Sequence, residues 1–106
     1  MNKFLKEIKT AANKRILYLP HAIHQMSRPN RMISPEEVRN VIEQSDVIED
    51  YPDDQRGHSC LMFGYSIGDR PIHVVCAPKG DYLAIITAYI PSMEEWEENY
   101  KKRKKT

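Results

Sequence analysis

No apolar run in this chain approaches the roughly 20 residues that a helix needs to cross a bilayer, so no membrane-spanning segment is expected. The first stretch, MNKFLKEIKTAANKR, mixes charge with apolar side chains and lacks the uninterrupted apolar core of a signal peptide. Cysteine is scarce: Cys60 and Cys76 lie far apart, each inside an apolar strand-like run, and neither sits in a paired metal-type motif. Reduced, buried thiols are the expectation. Net charge is nearly absent too, since 16 Lys and Arg against 15 Asp and Glu leave +1. No global field therefore draws the protein to nucleic acid, and a nucleic-acid surface has to be local. Repeats, linkers and low-complexity segments are missing. A single cytoplasmic α+β domain spanning residues 1–106, from a bacterium or archaeon, is the expectation.

What is present suits a soluble globular chain, with 41% hydrophobic and 29% charged residues. Basic residues gather at Lys3 to Arg15, Arg28 to Arg31 and Lys101 to Lys105; acidic residues gather at Glu43 to Asp54 and Glu94 to Glu98. Phe4, Leu5, Ile8 and Ala11/Ala12 recur at helical spacing with lysines between them, which predicts an amphipathic helix over 1–15. Ile16-Leu17-Tyr18-Leu19 reads as a short edge strand, and Pro20 suits the first turn of a second helix. In that helix Ala22, Ile23 and Met26 form the apolar stripe, while His21, His24 and Arg28 fall on roughly the other side. Pro29 and Asn30 end it.

Ser34-Pro35-Glu36-Glu37 is the strongest local signal: Ser34 caps, Pro35 takes the first helical position and Glu37 closes a capping box. Val38, Val41 and Ile42 supply the buried face of that helix, which ends near Gln44. From Asp46 the period shifts toward two. Val47 to Tyr51, Ser59 to Ser66, Pro71 to Ala77 and Tyr82 to Ile90 read as strands, joined at Gly68-Asp69 and Pro78-Lys79-Gly80-Asp81 by tight-hairpin chemistry. Ser92 with Glu95 gives another capping box, and the acids at the start and lysines at the end of 92–106 match a helix dipole, predicting a C-terminal helix with a basic tail. The expected architecture is N-terminal helices packed on an antiparallel sheet of about four strands, followed by that last helix. Residues 16–91 form the core, and Met93, Trp96 and Tyr100 dock the last helix on the sheet.

Four residues on the sheet or its edge could carry chemistry. Alternation puts His73, Val75 and Ala77 on one strand face. Thr87 and Tyr89 share a face of the next strand, and Arg70 stands at the hairpin tip beside them. If the register aligns those faces, His73, Thr87 and Tyr89 line one patch; otherwise His73 is a half-buried structural histidine. His21 and His24 admit three readings: metal ligands, solvated helix residues, or catalytic and RNA-contacting groups beside Arg28 and Arg31. Their spacing of three, with no cysteine or acid to complete a set, argues against metal. Cleavage of RNA by its own 2′-hydroxyl needs no metal; it needs a base, an acid and cations for the phosphorane. His58 reads as a loop residue at a strand start. The Lys101 to Lys105 run reads as a solvated helix end that could also hold phosphates.

The patterns His21-Ala22-x-x-x-Met26, Ile33-Ser34-x-Glu36-x-Val38, Pro71-Ile72-His73-Val74-Val75 and Ile86-Thr87-x-Tyr89-x-Pro91 with Trp96 resemble a family of small bacterial domains of unknown function. That family is grouped by fold with the RelE- and BrnT-like toxins. The resemblance covers Tyr18 to Arg103. It implies a barnase–EndoU–colicin–RelE type fold and a metal-independent, cofactor-free ribonuclease, with RNA (the ribosome included) and an antitoxin protein as partners. On that carry-over His21, His73, Thr87 and Tyr89 match the family's patterned polar positions as catalytic groups. Arg28, Arg31, Arg70 and His24 are then the RNA-binding groups. The chain departs from the family at Gln25, where arginine is usual, and in a longer connection from Ser27 to Arg31. Either Arg28 or Arg31 replaces the missing arginine, or activity is lost. The competing expectation is a noncatalytic interaction module of the same fold, with Glu49 to Asp54 and the basic C-terminus as contact surfaces.

Overall fold

Phe4, Ile8, Ala11 and Ala12 are buried while Lys3, Lys6 and Lys14 face solvent, so the first helix, α1 (Asn2–Lys14), is held by one apolar stripe. The computed structural model describes residues 2–66, 68–97 and 99–103. After α1 come β1 (Ile16–Tyr18), α2 (Pro20–Met26), α3 (Pro35–Gln44), β2 (Asp46–Tyr51), β3 (Ser59–Tyr65), β4 (Pro71–Pro78) and β5 (Leu83–Tyr89). No helix among the described residues is long and apolar enough to cross a membrane.

The capping box at α3 forms as the sequence predicts. The Glu37 amide donates to Ser34 Oγ at 3.2 Å, and the Ser34 amide donates to Glu37 Oε1 at 3.0 Å. Val38, Val41 and Ile42 are fully buried beneath it. Between α2 and α3 the chain folds back on itself. The Ile33 amide donates to the Met26 carbonyl at 2.9 Å, and Met32 takes a left-handed φ of 48° to make the turn.

The sheet has five strands in the order β1-β5-β4-β3-β2 and is mixed. This corrects the expected four-stranded antiparallel sheet. β2 through β5 are antiparallel neighbours, but β1 joins β5 in parallel, with Ile16 opposite Leu83 and Tyr18 opposite Ile85. A parallel pair needs a long crossover. Here the partners lie at opposite ends of the chain, so no local pattern announces the pairing.

One face of the sheet carries Cys60, Met62, Ile72, Val74, Cys76, Leu83, Ile85 and Ala88 against the buried residues of all three helices. Cys60 and Cys76 are free thiols directly opposite one another, their sulfurs 3.9 Å apart. The other face is set by an irregularity. Val75 pairs with Thr87 while Cys76 pairs with Ile85, so Ile86 is an extra residue on β5. Such a bulge re-aims every side chain beyond it. Without it Thr87 and Tyr89 would follow Leu83 and Ile85 into the helix-covered core. With it Ala88 faces the core, and Thr87 and Tyr89 share the far face with His73, which pairs with Tyr89.

The predicted C-terminal helix is absent from the described residues, and this is a second correction. Ser92 starts a single turn, its carbonyl accepting from the Glu95 and Trp96 amides at 3.3 and 3.0 Å. The chain then leaves helical geometry. Trp96 and Arg103 form an antiparallel bridge, the Glu97 amide donates to the Lys102 carbonyl at 2.9 Å, and Tyr100 turns the loop with φ of 57°. The result is a strap, residues 91–97 and 99–103, laid over the far face of the sheet. Trp96 is docked as expected, whereas Met93 is exposed. Of the expected basic tail, residues 104–106 lie outside the described residues.

Candidate functional site

Where β1 ends, α2 continues along the β5 edge. Its first turn presents His21, and one turn later, on the same side, Gln25. The α2–α3 connection brings Arg31 back over them, and its guanidinium donates to Gln25 Oε1 at 2.6 Å. From β5 come Thr87 and Tyr89, which the bulge has turned outward. From the strap come Ser92, Glu95 and the edge of Trp96. Together these groups bound one open cleft of about 340 Å³. One cation, one carboxylate, one imidazole, one amide and three hydroxyls converge there.

Directly behind Tyr89 lies His73, fully buried, its Nδ1 at 3.2 Å from the Tyr89 hydroxyl. Its Nε2 is 2.8 Å from the Tyr100 carbonyl of the strap. Trp96 meets its ring edge to face at 4.4 Å, and Phe63 does so at 5.5 Å. Burial drives the imidazole down to about 4, and the opposing pull of the Tyr100 carbonyl and the Glu49 charge does not restore it. His73 is therefore neutral at pH 7. Burial also raises the Tyr89 phenol, with Arg103 and Arg31 opposing and Glu49 and Glu95 reinforcing. The protonated phenol is the form present at neutral pH.

The strap is pinned at its far end. Arg103 holds Glu49 of β2 with two bonds, 3.0 and 3.1 Å, and its guanidinium carbon lies 4.7 Å over the Trp96 ring. The Tyr51 hydroxyl donates to the same carboxylate.

Of the groups expected at a site, His21, Arg31, Thr87 and Tyr89 meet in the cleft. His73 sits one layer below it and reaches it through Tyr89. His24 and Arg28 are exposed and do not line it. Arg70 is committed elsewhere. Its guanidinium donates to the Arg31 carbonyl at 2.5 Å, to the Met32 carbonyl at 3.3 Å and to both Glu37 oxygens at 3.0 and 2.8 Å. It thereby fixes the connection that carries Arg31. Burial would raise Glu37, but bonds from Ser66, the Ser34 amide and Arg70 bring it down to about 2. His58 stacks on Phe4 at 3.6 Å and lies 2.5 Å from Asp50, away from the cleft. Among the described residues no group of three or more His, Cys, Asp or Glu is arranged to hold a metal ion.

Sequence reasoning missed Gln25, Ser92 and Glu95 as cleft residues. Gln25 was accessible through its four-residue spacing from His21. Glu95 was concealed by its fit to a helix cap.

Residues 18–90 match the family described as Domain of unknown function (DUF4258), and the chain belongs to that family. No curated protein matches it, and neither does any solved structure. His21, Gln25, Arg31, Thr87 and Tyr89 lie inside the matched segment, whereas Ser92, Glu95 and Trp96 lie beyond it.

Proposed function

We propose that this member of the family is a metal-independent endoribonuclease of toxin type, with a RelE-like fold, whose cleft between α2, β5 and the strap binds RNA. The observation that carries the reading is the convergence of His21, Arg31, Tyr89 and Glu95, from four separate segments, on one open cleft. In the reaction the 2′-oxygen attacks the adjacent phosphorus while the bond from phosphorus to the 5′-oxygen breaks. The Glu95 carboxylate takes the 2′-hydroxyl proton, and the His21 imidazolium gives one to the departing 5′-oxygen. Imidazole is the side chain best suited to exchange a proton near neutral pH. Arg31, held in place by Gln25, opposes the charge of the phosphorane. Arg31 is thus the cation that makes up for glutamine at position 25. Thr87 and Tyr89 form the polar floor. The products are a 2′,3′-cyclic phosphate and a 5′-hydroxyl.

The test is cleavage of an RNA by purified protein in EDTA. Those two end groups are expected, and His21→Ala is expected to lower the rate about 10²- to 10⁴-fold. Because His21 is exposed, its removal should leave Tm nearly unchanged. Cleavage that requires added magnesium, or that survives His21→Ala, would sink the reading.

A second reading is a noncatalytic contact module. Ile23 on α2 and Met32 on the following turn favour it, because both are large apolar side chains left more than half exposed, at 53% and 67%. An antitoxin covering them fits either reading. Stable copurification of a partner protein together with no RNA cleavage selects the second.

A further inference from the structure

The hydrogen bonds around His73 fix the direction of a proton in the cleft. The Tyr100 carbonyl can only accept, so the nitrogen 2.8 Å from it, Nε2, carries a hydrogen. The ring is buried and neutral, so its other nitrogen, Nδ1, carries none and is an acceptor. At 3.2 Å from Nδ1, the Tyr89 hydroxyl must then be the donor. Its single proton points inward toward His73. What the phenol oxygen shows to the cleft is lone pairs alone.

That oxygen is therefore an obligate acceptor on the cleft floor. In a polynucleotide the sugar group able to donate to it is the ribose 2′-hydroxyl, which DNA lacks. A hydroxyl has one proton, and the attacking hydroxyl must surrender its own to the base. The one bonded to Tyr89 thus belongs to a nucleotide beside the reacting one. We infer that Tyr89 is the ribose-reading residue of the cleft, and that His73, through its bond to the strap, is the positioning residue that keeps Tyr89 an acceptor. This rests on the RNA reading above. It adds which atom selects RNA, and it gives buried His73 a role that direct catalysis does not.

Two measurements test it. Long-range ¹H–¹⁵N spectra of labelled wild-type protein at pH 7 should show His73 with Nδ1 unprotonated and Nε2 protonated; a proton on Nδ1 overturns the inference. The second uses His21→Ala protein, in which cleavage is suppressed. An oligoribonucleotide is compared with the same sequence carrying 2′-fluorine, which cannot donate. The ribonucleotide should bind about fivefold more tightly, the worth of one ordinary hydrogen bond. Adding Tyr89→Phe, which keeps the ring and its packing, should bring the ratio to about one. A ratio that persists in Tyr89→Phe overturns the ribose contact and leaves the RNA reading intact. Failure of both oligonucleotides to bind overturns the RNA reading and the ribose contact together.

Discussion

The two faces of the sheet are buried by different means. The face under the helices is closed by apolar side chains: Phe4, Ile8, Val38, Val41 and Ile42 from the helices against Met62, Val74, Cys76 and Ile85. The opposite face is closed by a strap of irregular backbone, and beside the aliphatic Leu61 it buries aromatic and polar groups: Phe63, His73 and Trp96, with Tyr89 and Tyr100 half covered. The apolar face needs only volume and shape. The polar face needs every polar atom matched, and among the described residues no buried side-chain nitrogen or oxygen lacks a partner. Fixed hydrogen bonds give fixed proton positions. Hence the polar groups that line the cleft gather at the edge of the second face, while the first supplies the packed core beneath it.

His73 and Val74 are adjacent on one strand and belong to opposite faces, so they offer the most severe test of this contrast. Val74 is fully buried among apolar side chains, and a carboxylate there would find no partner. Val74→Asp should abolish the cooperative thermal transition followed by circular dichroism, because an unpaired buried charge costs several kcal/mol against a typical total of about 5–15 kcal/mol. A Val74→Asp protein melting cooperatively near the wild-type Tm would show that the helix-covered face also tolerates charge, and the distinction between the faces would collapse.

The two faces also differed in how far the sequence disclosed them. The helix-covered face rests on local signals: the Ser34–Glu37 box, the stripes of α1 and α3, and alternation along β3 and β4 were all readable, because each is decided within a few residues. That Thr87 and Tyr89 share a face followed from alternation; the alignment of that face with His73 was legible as a conditional. The condition is the bulge at Ile86, which no residue type there announces. The strap was misread outright. Ser92, Glu95 and the run of charges satisfy every rule for a helix, and one helical turn does form. Burial of Trp96 on His73 and the grip of Arg103 on Glu49 then outweigh local propensity and draw the chain off the helical path. Matched motifs grouped His21 with Thr87 and Tyr89 as candidates, but local pattern could not bring them together in space. Their meeting with Glu95 and Arg31 depended on the two irregular segments and could not be read locally.

The next effect in size is a pH dependence confined to the polar face. In the unfolded chain His73 titrates near 6.5, and in the fold near 4. The charged and titratable groups around it are Glu49, which favours its charged form, Arg103, which opposes it, and Tyr89. Above about pH 6.5 neither state binds the proton, and the neutral buried ring is fully compatible with the fold. As pH falls from about 6.5 to about 4 the unfolded chain takes up a proton that the folded chain refuses, so stability declines. Below about 4 both states are protonated and this loss levels off. The drop should amount to about 2–3 kcal/mol across that window. Glu37, brought down to about 2, adds its own loss as pH falls from about 4.5 toward 2, at a different place on the curve. Urea titrations at pH 7.0, 5.5 and 4.5 measure the first window. His73→Gln, which keeps a neutral polar side chain, should flatten it while leaving the lower window in place. An unchanged slope in His73→Gln would assign the acid sensitivity to some other group.

The smallest effect concerns the pin of the strap. Arg103 is bidentate to Glu49 and stacked on Trp96, but its side chain is 54% exposed, so solvent and salt screen the pair. Arg103→Ala should cost only about 1 kcal/mol in urea unfolding, part of it from lost packing on the indole and insensitive to salt. Its consequence should be local. The strap carries the Tyr100 carbonyl, which holds the His73 tautomer, so loosening it should speed hydrogen exchange at the Glu97 and Tyr100 amides, both bonded within the strap, and leave the Val38 and Ile42 amides of α3 as protected as before. Equal loss of protection in α3 would mean that the strap and the helix-covered core open as one unit. The polar face would then be an extension of the main core, with no independent freedom to admit a ligand at its edge.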